Sequence, residues 1–213
     1  MKKFICFDVN GTLVNENSWE IFTRGDKLIE QETKEIFDNY YSGKTSIEEA
    51  WKKMVITLRK TGRANKDFVY NCWDEASTFK EGVEDIINYL KGKGYKIYLI
   101  SCSIDIYLEC MVKKLSLDGF YAGSHLIFDS LGELEQITSD CGKGNGYKKE
   151  KLKELSEKEG INIEDIIFVG DGDNDVGVFE MTKHGIAMGD NNEKLLSCSW
   201  RQIKSLREIK NIL

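Results

Sequence analysis

The amino-acid sequence predicts an α/β protein: a doubly wound parallel sheet with a helical bundle inserted after its first strand. Three observations carry this. Short, wholly apolar runs recur along the chain, amphipathic helical stretches alternate with them, and residues 15–77 keep helical periodicity with no strand-like run.

Phe4-Ile5-Cys6-Phe7 is apolar at every position and ends in a polar, glycine-containing turn, the pattern of a strand buried on both faces of a parallel sheet. In the next sixty or so residues (~60, the size of a small bundle), Ile47, Ala50, Trp51, Met54, Val55 and Leu58 form one stripe. Phe68, Val69, Cys72 and Trp73 begin another. Stripes of this kind are packing faces, so Trp51 and Met54 read as core. Val83, Ile86, Ile87 and Leu90 share a helix face ahead of a strand over Tyr95–Ile100. Ser124–Asp129 and Leu134–Thr138, joined by Ser130-Leu131-Gly132-Glu133, read as a hairpin beside the sheet. A helix containing Leu152 and Leu155 leads into a strand over Ile166–Val169, and Gly185–Met188 is the candidate last strand. The organisation expected is a core of residues 1–14 and 78–213 and a helical cap of residues 15–77.

A chain of 213 residues, 41% hydrophobic, can bury a full core. Lys and Arg number 30 against 36 Asp and Glu, and no basic block gives the footprint that nucleic acid requires. The apolar run near Met1 is interrupted by Asp8 and Asn10, unlike a signal peptide, and no stretch has the unbroken apolar length of a membrane span. Six scattered cysteines, with no zinc-finger spacing, suit reduced thiols that serve mostly as small hydrophobes in a cytoplasmic protein.

Asp8 stands directly after the first buried strand, where open α/β sheets bind ligands. A second acidic cluster, Gly170-Asp171-Gly172-Asp173-Asn174-Asp175, follows another buried strand. If the two strands are neighbours, the carboxylates converge and need a cation, and hard oxygen ligands suit Mg2+. A calcium loop fails on detail: Val176 stands where that loop needs glycine and Thr182 where it needs glutamate.

Together these segments resemble the haloacid dehalogenase superfamily along the whole chain. The D-x-D-G-T motif of its phosphatases is present as Asp8-Val9-Asn10-Gly11-Thr12, and the apolar strand ending in Ser or Thr as Ile97-Tyr98-Leu99-Ile100-Ser101. The motif lysine at a helix start is matched by Lys148, with Lys149 and Lys143 nearby, and G-D-G-x-N-D is Gly170–Asp175. The inserted helices, the hairpin and the Gly185-Ile186-Ala187-Met188-Gly189 ending are similar to the phosphoserine phosphatase branch. The resemblance implies a Rossmann-like core and Asp8 as a nucleophile that forms an aspartyl-phosphate. It implies Mg2+ bound by Asp8, Asp171 and the Asn10 backbone carbonyl, with Asp175 in support. Ser101, the Cys102 amide and Lys148 would hold the phosphoryl oxygens, Asn174 would face the substrate, and the partner is a small phosphorylated metabolite.

Position 10 departs from the pattern. Family phosphatases carry an aspartate there, which protonates the leaving group and then activates water; the Asn10 amide does neither. Such help is worth ~10² to 10⁴ in rate. Asn10 marks either a weak natural enzyme or a residue introduced to hold a substrate, and the intactness of the remaining motifs favours the second. A non-catalytic phosphate-binding protein is the alternative. A dehalogenase of the same superfamily ranks lower, because it has no use for a second acidic cluster that repels itself. Glu16 or Glu20 could meet a substrate amine, but the helix expected to carry a carboxylate-binding arginine reads Trp51-Lys52-Lys53-Met54, with none until Arg59.

Overall fold

The structure, a computed structural model, describes residues 3–76, 78–141, 146–190 and 192–213. Its strands are β1 (Lys3–Phe7), β2 (Tyr95–Ile104), β3 (Gly119–Phe128), β4 (Leu134–Ser139), β5 (Ile166–Gly170), β6 (Gly185–Met188) and β7 (Arg201–Ile203). They form one sheet in the order β4-β3-β2-β1-β5-β6-β7, parallel except for the β3–β4 pair. The chain winds outward from β1 in both directions, so β1 and β5 flank the point where the strand order reverses.

Alternate residues of β1 serve two separate apolar layers, as the uninterrupted Phe4–Phe7 run requires. Ile5 and Phe7 pack with Ile97, Leu99 and Val169 and with α5 (Val83–Gly92) through Ile86 and Leu90. Phe4 and Cys6 pack on the other face with Phe168, with Leu152 and Leu155 of α7 (Gly146–Glu159), and with Phe179 of α8 (Val176–Thr182). A short helix, α9 (Glu193–Cys198), closes that second layer through Leu195.

Between β1 and α5 lie α1 (Ser18–Thr23), α2 (Lys27–Tyr41), α3 (Ile47–Lys60) and α4 (Lys66–Ala76). Each of the first three starts where its sequence supplies a cap. Asn17 and Glu20 form a capping box on α1, Asp26 accepts from the Leu28 and Ile29 amides, and Ser46 and Glu49 form a second box on α3. Most of the α3 stripe is buried: Ala50, Trp51, Met54, Val55 and Leu58 face inward, the last four joining the Ile5–Phe7 layer with half-buried Ile47 packed against it. Among the described residues no helix is long and apolar enough to cross a membrane.

Four elements differ from expectation. The hairpin is not an appendage beside the sheet: β3 starts at Gly119 and pairs in parallel with β2, making β4 the sheet edge. The half-exposed Phe120 and Tyr121, set among glycines, hid its first half. The β2–β3 crossover is a helix, α6 (Asp105–Leu115), with Ile106, Tyr107, Leu108, Met111 and Leu115 buried, and β7 is a short edge strand with only Ile203 buried. β2 runs on to Ile104, with a register shift against β3 between Ser101 and Ile104 that kinks the strand just past its apolar run.

Candidate active site

β1 and β5 are hydrogen-bonded neighbours, with Cys6 opposite Phe168 and Phe7 opposite Val169. Both acidic segments therefore leave the sheet at the same carboxyl edge, and the Asp8 amide donates to the Val169 carbonyl at 2.9 Å. The chain after Asp8 folds back at once, with Leu13 N–H donating to the Val9 carbonyl and Gly11 N–H to the Val14 carbonyl, each at 2.8 Å. Gly11 has φ +80°, and a Cβ there would lie 2.0 Å from Asp171 Oδ2, so the turn needs glycine on two counts. The next residue, Thr12, donates its hydroxyl to Asp171 Oδ1 at 2.7 Å and fixes that carboxylate's orientation.

One carboxylate oxygen from each of Asp8, Asp171 and Asp175 lies within 4.8 Å of the other two. Asp175 is fully engaged: Oδ2 accepts from the amides of Asp171 and Gly172, and Oδ1 from Lys148 Nζ at 2.6 Å. Gly170 makes room for it, since a Cβ there would lie 2.4 Å from the Asp175 carboxyl carbon. Lys148 Nζ also forms an ion pair with Asp8 Oδ1 at 3.1 Å, and that buried oxygen makes no further hydrogen bond among the described residues. Of the described candidate lysines, Lys148 is thus the one at the carboxylates. The Lys149 stem lies against Gly177 of α8, and Lys143 falls outside the described residues.

Burial pushes the pKa of Asp175 up to about 6 against the pull of Lys148. Burial also raises Asp171, with the Asp8 charge adding to it and the Thr12 hydrogen bond opposing it. For Lys148, burial works to lower the pKa, but Asp8 and Asp175 overcome it and hold the ammonium above its ordinary value. Lys80 donates to the Gly11 carbonyl; burial lowers its pKa and Asp171 opposes that shift. Three close carboxylates around one fully buried lysine leave a surplus of negative charge. This all-carboxylate donor set fits a hard divalent cation.

On the other side of β1, Phe7 pairs with Leu99, so Ser101 and Cys102 also emerge at the ligand edge. Ser101 is buried and its Oγ accepts from the Ser103 amide at 3.3 Å. The expectation of six thiols is corrected here, because Cys102 and Cys141 form a disulfide. The bend in β2 and the chain leaving β4 converge on Gly123, where a Cβ would lie 2.2 Å from Cys141 Sγ and 3.0 Å from Cys102 Cα. Only a glycine there admits the bridge, and a separation of 39 residues conceals the pairing in the sequence. Cys6, by contrast, is a buried small hydrophobe as expected, its thiol pKa pushed far up by burial.

Asn10, Asn174, Cys102 and Cys141 line one cleft of about 560 Å³ together with Trp19 and Trp51 of the inserted helices. Asn10 Oδ1 is buried with no hydrogen-bond partner among the described residues. The residues considered for an amino-acid substrate point elsewhere. Glu16 pairs with Arg24, the Glu20 carboxylate accepts from the Asn17 amide, and Arg59 donates to the Leu134 carbonyl at 2.9 Å. Sequence reasoning assigned no role to Thr12, although it lies within the first motif. It also missed Lys80, Ser18 and Cys141, which carry no spacing signal.

Residues 5–180 match the haloacid dehalogenase-like hydrolase family, and the chain belongs to that family. Within it the chain is phosphoserine phosphatase-like. It is 32% identical to a phosphoserine phosphatase of Methanocaldococcus jannaschii over 84% of this chain and 82% of that protein. A crystal structure of a phosphoserine phosphatase in its apo form superposes over the full length of both chains with TM-score 0.78 at 29% identity. A substrate-bound phosphoserine phosphatase complex covers 100% of this chain and 99% of its own, with TM-score 0.76 and 29% identity.

Proposed function

We propose that the chain is a Mg2+-dependent phosphatase for a small phosphomonoester, working through an aspartyl-phosphate on Asp8 and slowed by Asn10. The convergence of Asp8, Asp171 and Asp175 around buried Lys148 carries this reading. Asp8 and Asp171, with the backbone carbonyl of Asn10, would hold the cation, and Asp175 would keep Lys148 and the Gly170–Gly172 turn in place. Bound there, Mg2+ supplies charge neutralisation for the phosphoryl group.

In the first step an Asp8 carboxylate oxygen bonds to phosphorus as the ester P–O bond breaks, and the leaving alkoxide takes a proton. In the second, water attacks phosphorus, releasing phosphate and restoring the Asp8 carboxylate. Ser101, the Cys102 amide and Lys148 hold the phosphoryl oxygens through both, the positioning and charge stabilisation that dominate phosphoryl transfer. Asn10 has no proton to give at neutral pH, so water must supply it, and hydrolysis is slow. The helices over residues 15–77 form the lid of the cleft.

The uncharged Asn10 favours a second reading, a phosphate-binding protein without turnover. The deciding experiment is an assay of the chain and its Asn10→Asp variant on phosphomonoesters, with and without Mg2+. Mg2+-dependent hydrolysis that rises in the variant supports the enzyme; Mg2+-dependent ligand binding without hydrolysis in either form supports the binding protein.

A further inference from the structure

The cleft in front of Asn10 and Asn174 is walled by aromatic rings. Trp19 stacks on Trp51 with centroids 4.7 Å apart, and Phe37 meets Trp51 edge-on at 5.8 Å. Two buried hydrogen-bonding groups on this wall have no partner among the described residues: Ser18 Oγ, on a fully buried residue, and Trp51 Nε1, on one only 7% exposed. An unmet buried polar group costs about 1–3 kcal/mol, so two on one cleft wall mark where a ligand's own polar group sits.

We infer that the ester taken by this site has an uncharged, largely apolar leaving group bearing a hydroxyl or similar neutral hydrogen-bonding group, and is not a phosphorylated amino acid. The inference rests on the phosphatase reading and names its substrate class. An ammonium and a carboxylate lose their hydration on entering such a cleft and require charged partners there. Among the described residues that line it, none is Asp, Glu, Lys or Arg. Outside that lining, Glu16 pairs with Arg24 and the Glu20 carboxylate accepts from the Asn17 amide. A quaternary ammonium is also a full charge, and no carboxylate among the described lining residues meets it. Neutral donors beside rings suit a hydroxylated, ring-sized group, with stacking for its body and Ser18 or Trp51 for its polar end.

The test is calorimetric titration of the full chain with Mg2+ and, in turn, inorganic phosphate, phenylethyl phosphate, hydroxyphenylethyl phosphate, phosphoserine and phosphocholine. All four esters are alkyl, so leaving-group acidity does not sort them. The expected result is that hydroxyphenylethyl phosphate binds at least about tenfold tighter than phosphoserine or phosphocholine, given the penalty for burying an unpaired charge. Ser18→Ala or Trp51→Phe removes its advantage over phenylethyl phosphate, a loss of about fivefold from one hydrogen bond. Phosphoserine or phosphocholine binding as tightly as the aromatic esters overturns the inference while leaving the phosphatase reading standing. So does an advantage of the hydroxylated ester that survives both substitutions. Failure of inorganic phosphate and every ester to bind overturns both.

Discussion

Lys148 and Asp175 form a buried ion pair, Nζ to Oδ1 at 2.6 Å, with side chains 1% and 0% exposed. Asp8 shares the same ammonium at 3.1 Å, so one cation serves two carboxylates in a site almost closed to water. Removing one partner of such a cluster leaves the others charged and unpaired, whereas the intact cluster is close to neutral in its effect on stability.

Lys148→Met is therefore expected to destabilise the metal-free protein by about 3 kcal/mol, in line with broken buried pairs. Mg2+ recovers part of that loss by compensating Asp8 and Asp171. Thermal denaturation in EDTA and in Mg2+ checks this, and equal losses in the two conditions would refute it.

Gly11→Ala forces a left-handed φ of +80° on alanine and drives a methyl into Asp171. The expected outcome is a stability loss of at least about 1 kcal/mol from the backbone alone, together with Mg2+ affinity lowered by displacement of the carboxylate. Titration calorimetry with Mg2+ measures the second effect. Gly43, also at positive φ but with open space around its Cβ position, is the control: Gly43→Ala should lose stability and keep Mg2+ affinity.

Asn10→Asp is expected to raise Mg2+-dependent turnover of alkyl phosphates by at least ~10², the lower end of general acid–base help. The gain should be much smaller for aryl phosphates, whose phenolates leave without a proton. A leaving-group series on both forms gives the comparison, and gains equal across the series would argue against Asn10 sitting at the acid–base position.

Reduction of the Cys102–Cys141 bridge frees a loop of 39 residues' separation, and the chain-entropy model assigns such closure about 2–4 kcal/mol. Lower stability in a dithiol reductant is expected, and weaker phosphate binding with it, because Cys102 follows Ser101 and Cys141 precedes the Lys148 helix. Thiol titration of the denatured, unreduced chain should count four free cysteines, and a count of six would refute the bridge.

Asp8, the acidic cluster and Lys148, which the structure brings together, were legible because each is tied to a local pattern. Asp8 ends a buried apolar run, Gly170–Asp175 follows another, and Lys148 opens a helix. Buried parallel strands are hydrophobic at every position, so short runs announce them and their ends locate the ligand edge. β7 and the first half of β3 were illegible for the converse reason. They lie toward the sheet's edges with half-exposed side chains, where little selects an apolar residue.

From the sequence alone came the α/β class, the inserted helices and the acids that meet at the sheet edge, because local periodicity and motif order encode them. Only the tertiary structure decided that Cys102 bonds to Cys141, that Thr12 orients Asp171, and that Ser18 and Trp51, each with a buried polar atom unpaired among the described residues, line one aromatic cleft. Those are contacts between segments far apart in the chain, and their partners follow from how the sheet and the inserted helices pack, which no local spacing records.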